Sequence, residues 1–148
     1  MPEESSQPTP LAPHLNEASL TAEIAKALRA TLFSSRLSVS PRRVNELAGQ
    51  MAQQFSAFYD NKDRAAAQGY GSALAREGIG ARSALEMTEA VRRVARQQSN
   101  PLTELPDVTG AFCNALLEGF MESQAQMVLE VQERTHRAYL AALQPSAD

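Results

Sequence analysis

Four groups of residues in this chain have side chains or spacings that could do chemistry. They are the glycines of "GYGSALAREGIGARSALE" (residues 69–86), the arginines Arg92, Arg93 and Arg96, the lone Cys113, and the Glu133-x-x-His136 pair. Glycines cradle a phosphate when they follow a strand and open a helix, because several backbone amides then converge on the anion. No strand pattern precedes Gly69 and no lysine follows at phosphate-loop spacing, so the cluster reads as a helix corner and a set of contact points. An arginine trio can grip phosphate, but Glu86 and Glu89 lie one turn before Arg93, within reach of Arg92 and Arg93. No aromatic residue interleaves the trio to stack a base. It reads as a solvated or partner-facing edge.

The remaining candidates fail on geometry. A reactive cysteine needs a nearby cation to lower its pKa; Cys113 has no lysine or histidine near it in sequence and projects onto an apolar helical face, so a buried structural thiol is expected. A bundle di-iron site takes inward glutamates and two Glu-x-x-His motifs. Glu133 and His136 supply one such motif, on the polar side of the last helix, where the pairs Glu118/Glu122 and Glu130/Glu133 also lie. His14 and His136 are too far apart for a metal-binding spacing, and neither points inward as an axial haem ligand must. No serine sits in a nucleophile elbow. The expectation is a protein without catalytic, metal or cofactor-binding residues.

Composition sets the frame for these side chains. A chain of 148 residues that is 43% hydrophobic can bury one substantial core. The formal net charge of -3 argues against nucleic acid or an anionic membrane as partner, since both favour a positive field. Twelve of the 14 basic residues are arginine, which suits planar pairing with carboxylates. One cysteine excludes an internal disulfide. "MPEESSQPTPLAP" lacks the basic and apolar segments of a secretory leader, and no stretch approaches about 18 apolar residues, so the expected location is the cytoplasm. The Pro/Ser/Gln/Glu-rich start reads as a flexible tail over 1–16, followed by a single helical domain over 17–143 and a short tail over 144–148.

The spacing of apolar residues predicts about five helices. Leu20, Ile24, Ala27, Leu28 and Leu32 mark the first, from about residue 17. Ser40 and Pro41 have the types that open a second helix, with Val39 and Val44 as a hydrophobic staple. Its face runs through Val44, Leu47, Ala48, Met51, Phe55, Phe58 and Tyr59. "YDNKD" is a turn, and a third helix follows from about Arg64. Its end has the pattern of a Schellman motif, with Gly78 left-handed and Ile79 folded back on Leu74. Gly69 and Gly71 lie within that helix and imply a close helix approach or a kink near Tyr70. "SALE", Ser83 to Glu86, has capping-box spacing for a fourth helix, which "SNP" at 99–101 terminates.

The last helix begins near Thr103 to Pro106 and runs to Leu143. Phe112, Leu116, Phe120, Met127, Val131, Ala138 and Ala142 form one stripe on it; Leu117, Met121, Val128, Tyr139 and Leu143 lie beside them. The apolar arc covers roughly half the circumference, more than the ~100° that packing on one bundle needs. A symmetric partner chain accounts for the excess, because two-fold dimers are the commonest oligomers.

"LFSSRLSVSPRRVNELAGQMAQQFSAFY", "GSALAREGIGARSALEMTEAVRR" and "ALLEGFMESQAQMVLEVQERTHRAYLAAL" together resemble the N-terminal helical sensor domain of RsbT co-antagonist (RsbR-type) stress regulators and related bacterial sensor kinases. The similarity spans about residues 20–143. It rests on the Ser40-Pro41-Arg42-Arg43 helix start, the spacing of Gly71, Leu74, Gly78 and Ile79, and the Gln132-Glu133-Arg134 run. The resemblance implies an all-α domain, a bundle or globin-related fold without haem, that dimerises and passes a signal along its last helix into an output module. No such module follows Leu143, so an excised input domain or a stand-alone member is expected. The resemblance carries over no catalytic residue.

The functional expectation is a non-enzymatic regulatory or sensory domain of a bacterial signalling protein, acting through homodimerisation and protein contacts. The alternative is a structural accessory subunit that docks onto a larger complex. Leu117, Met121, Val128 and Tyr139, with Arg92, Arg93 and Arg96, are the expected partner interface. No nucleic acid, membrane or cofactor is expected to take part.

Overall fold

The structure, a computed structural model, describes residues 16–32, 39–98 and 104–144. It is all-α: five helices pack together, and the last is long. They are α1 (Glu17–Thr31), α2 (Pro41–Asn61), α3 (Arg64–Glu77), α4 (Ala81–Gln98) and α5 (Leu105–Leu143). The expected tails apart from Asn16 and Gln144, with His14 and the "SNP" stop, lie outside the described residues.

Local chemistry explains the helix ends. Asn16 Oδ1 accepts from the amides of Ala18 and Ser19 at the start of α1. Ser40 Oγ accepts from the Arg43 amide at 3.1 Å, with Pro41 in the first turn, where a missing N–H goes unneeded. Asp63 Oδ1 accepts from the Ala66 amide to open α3. At the other end Gly78 takes φ 99°, its amide donates to the Ala75 carbonyl at 3.0 Å, and the Ile79 amide donates to the Leu74 carbonyl at 3.1 Å. Those two bonds define the Schellman ending, and Leu74 and Ile79 are both buried beneath it.

The capping-box expectation at Ser83 is corrected. Helix α4 already begins at Ala81, with the Gly80 carbonyl accepting from the Ala84 amide. Ser83 is therefore inside the first turn and faces α1, where its hydroxyl meets the Thr31 hydroxyl at 2.8 Å and donates to the Thr31 carbonyl. Position relative to α1 decided its role; the four-residue pattern could not.

Helix α1 packs on α2 and α4, and α5 lies mainly on α3. Phe112 of α5 enters the centre and meets Phe55 and Phe58 of α2 at ring separations of 5.1 and 5.6 Å, both tilted by 55°. Such edge-biased pairs add about 0.5–1.5 kcal/mol to what burial itself contributes. Tyr70 is half-buried and its hydroxyl donates to the Leu47 carbonyl. Desolvation raises its pKa, with the Glu77 carboxylate adding and Arg43 opposing.

Helices α3 and α5 touch backbone to backbone. A Cβ on Gly71 would sit 1.9 Å from the Leu116 carbonyl oxygen, and one on Gly119 would sit 2.0 Å from that of Gln68. Each helix thus removes the side chain that would hold the other away. Gly69, grouped with Gly71 in the sequence reading, is exposed with nothing near its missing Cβ; the close approach belongs to Gly71 alone, because the two differ by about 200° around the helix. Glu118 clips the crossing by accepting from Arg64 Nη2 at 2.7 Å and Gln68 Nε2 at 2.5 Å.

Candidate functional site

Helix α5 has 39 residues, about 58 Å at 1.5 Å per residue. Its first half is bundle core: Leu105, Val108, Phe112, Cys113, Leu116 and Phe120 are buried. Ser123 is the last buried residue, and its hydroxyl is the one buried side-chain polar atom without a partner among the described residues. Beyond it Gln124, Met127 and Glu130 are still half-buried against the bundle, and every residue from Val131 to Gln144 is exposed. The inner stripe read from the sequence therefore divides. Phe112, Leu116 and Phe120 are core, Met127 is half-buried, and Val131, Ala138 and Ala142 are in the open. The neighbouring helices end at that level, so periodicity continues where nothing remains to pack on.

The residues expected at a partner surface sit in two different environments. Met121, Val128 and Tyr139 are 65%, 57% and 61% exposed, whereas Leu117 is half-buried against the core of its own chain. Arg92, Arg93 and Arg96 are engaged within the chain. Arg92 donates to Asn114 Oδ1, Arg93 lies 3.5 Å from Glu23 of α1, and Arg96 lies 3.6 Å from Glu89. The expected pairing of Glu86 and Glu89 with Arg92 and Arg93 is corrected accordingly, since Arg93 turns to α1 and Glu89 reaches one turn further to Arg96.

Sequence reasoning missed two features of this region. Leu129 and Leu140 are exposed on the side of the helix away from Val128 and Val131; they fall outside the two apolar stripes read from the spacing. The second is a groove of about 880 Å³ between the α3–α4 corner and α5. Ala75, Gly78, Ile79 and Gly80 form one wall, and Met121, Gln124, Met127, Val128 and Val131 are on the other. Only packing α5 beside the Schellman corner creates it. Glu130 ties the base of the projecting segment back to Arg76 of α3 at 3.8 Å.

Reactive chemistry is sparse. Cys113 is buried, its thiol donates to the Thr88 carbonyl, and burial pushes its pKa up to about 12, with Glu89 adding and Arg92 opposing. Hydrogen bonds from Gln68 and then Arg64 hold the Glu118 carboxyl below its ordinary range. Arg43 is held in its charged form by hydrogen bonds to Glu77 and then Glu46, bridging α2 to the end of α3. His136 is exposed, and its helix neighbour Glu133 pairs with Arg137 at 3.6 Å. Among the described residues no group of three or more His, Cys, Asp or Glu could hold a metal, and no helix is long and apolar enough to cross a membrane.

Comparison of the chain with protein-family models, curated proteins and solved structures found no match.

Proposed function

We propose that this chain is a non-enzymatic regulatory or sensory domain that works as a dimer, with the projecting half of α5 as the element that meets its partner. The observation that carries the reading is the run of exposed apolar side chains on and just before that half, Met121, Val128, Val131, Tyr139 and Leu143 among them, on a helix whose wholly exposed end, from Val131 to Leu143, is about 18 Å long. Contiguous exposed apolar surface on a soluble fold marks a contact site. The resemblance to RsbR-type sensor domains supports the same reading, with signal passing along α5 in the cytoplasm. A net charge of -3 favours a protein partner over nucleic acid.

Light scattering at micromolar concentration tests it. A dimer is expected, and a strict monomer overturns it. Exposed Leu129 and Leu140, on the other side of the same helix, favour a second reading in which the chain docks as an accessory subunit. A stoichiometric large partner on purification from the native host would support that one.

A further inference from the structure

The open stripe of α5 has a regular register. Leu117, Met121, Gln124, Val128, Val131, Thr135, Ala138 and Ala142 alternate by four and three residues, the spacing that keeps one seam facing a partner helix. Leu117 and Gln124 are half-buried by their own chain, and the other six are exposed. The seam also tapers. Its start carries Leu117 and Met121, its end carries Ala138 and Ala142, and one polar residue, Gln124 or Thr135, interrupts each half.

The geometry points to an antiparallel pairing of this seam with the same seam of a second copy, in a register that sets Leu117 against Ala142, Met121 against Ala138, Gln124 against Thr135 and Val128 against Val131. This rests on the dimeric reading above and specifies its arrangement. In that register every layer joins a large side chain to a small one, a polar one to a polar one, or two valines. The summed volume per layer then stays nearly even along the contact, as close packing requires. A parallel pairing would stack Leu117 on Leu117 at one end and Ala142 on Ala142 at the other. The layers would then shrink from one end of the contact to the other and leave gaps beside the alanines. It would also face glutamine with glutamine and threonine with threonine in separate layers. Of the positions flanking the seam only Glu118 and Arg134 are charged, and Glu118 is engaged by Arg64 and Gln68 of its own chain, so shape sets the direction.

The groove fits the same arrangement. Its α3–α4 wall is built of Ala75, Gly78 and Gly80 beside Ile79, small residues that let a helix approach closely. With the two arms antiparallel, Val131, Thr135 and Ala138 of the second copy lie along Met121 to Val128 and into this groove. The contact is isologous, so each copy's arm fills the other's groove and the assembly closes at two chains. Leu129 and Leu140 stay outside the seam.

Cysteine cross-linking tests the arrangement, and the native Cys113 gives little background because it is buried. Met121→Cys, Ala138→Cys and the double variant are oxidised mildly, with light scattering on each. Met121 and Ala138 are exposed, so folding is unaffected. The expected result is a covalent dimer for most of the double variant and none above wild-type background for either single variant, since a disulfide needs Cα atoms within about 7 Å. Within one helix the two positions are about 25 Å apart, so any bridge is between chains. Cross-linking of a single variant means a parallel pairing and overturns the inference. A dimer by light scattering in which the double variant does not cross-link places the contact elsewhere and overturns it too, leaving the dimeric reading intact. A monomer overturns both.

Discussion

The two halves of α5 are made of similar residues and do different things. Between Leu105 and Ser123 most apolar positions are covered by α2, α3 and α4, and Phe112 and Phe120 are almost wholly shielded from water, with Met121 the large exception. Between Gln124 and Leu143 the helix carries Val128, Val131, Tyr139 and Leu143 in the open. The hydrogen-bonded helix is continuous through both, so the difference lies in what surrounds it. The first half is stabilised by its own chain. The second has apolar surface whose burial, at about 25 cal/mol per Å², is available to another molecule.

Substitutions sharpen the contrast. The largest loss is expected from Phe112→Ala in the first half, about 3–5 kcal/mol by thermal or urea unfolding, because two ring contacts go with it. Next come Gly71→Ala and Gly119→Ala. Each gains up to about 1 kcal/mol of helix propensity but drives a Cβ into a backbone carbonyl, and the helices must separate, for a net loss of about 1–3 kcal/mol. Gly69→Ala, two residues from Gly71 and in open space, is expected to stabilise by up to about 1 kcal/mol. If Gly69→Ala and Gly71→Ala shift the melting temperature alike, the close crossing is not as described.

In the second half, Val128→Glu is expected to change protomer stability by less than about 0.5 kcal/mol while shifting the chain to monomer in light scattering. Unfolding by that substitution would mean the projecting half is core after all. The smallest effect is expected at the junction. Glu118 has a lowered carboxyl pKa in the folded state, so its contribution is full above the ordinary carboxylate range and is lost as pH falls through the folded value. The melting-temperature difference between wild type and Glu118→Gln should therefore be small at neutral pH and close toward zero in acid. A difference that grows in acid contradicts the assignment.

Much of the fold was legible in the residues. Ser40 with Pro41 and the Gly78–Ile79 pair act on the backbone within one turn, so they mark the start of α2 and the end of α3 wherever those helices sit. The all-α class and the long last helix follow from apolar spacing, which is also local. Ser83 was misread because a capping pattern inside a helix differs from one at its start only through the neighbour it meets, here Thr31. Gly119 went unread for a related reason. A glycine in mid-helix signals a crossing only when the partner glycine, Gly71, is known to lie opposite.

By itself the sequence determined where α2 starts and where α3 ends, which positions repeat along the helices, and that α5 carries more apolar surface than one bundle face needs. These depend on contacts within a few residues and on the 3.6-residue repeat. The tertiary structure alone decided that full burial along α5 ends at Ser123, that Leu117 is half-covered while Met121 is open, that Arg93 answers to Glu23, and that the α3–α4 corner makes a groove beside α5. Each of those depends on residues distant in sequence meeting in space, and periodicity carries no information about where the neighbouring helices end.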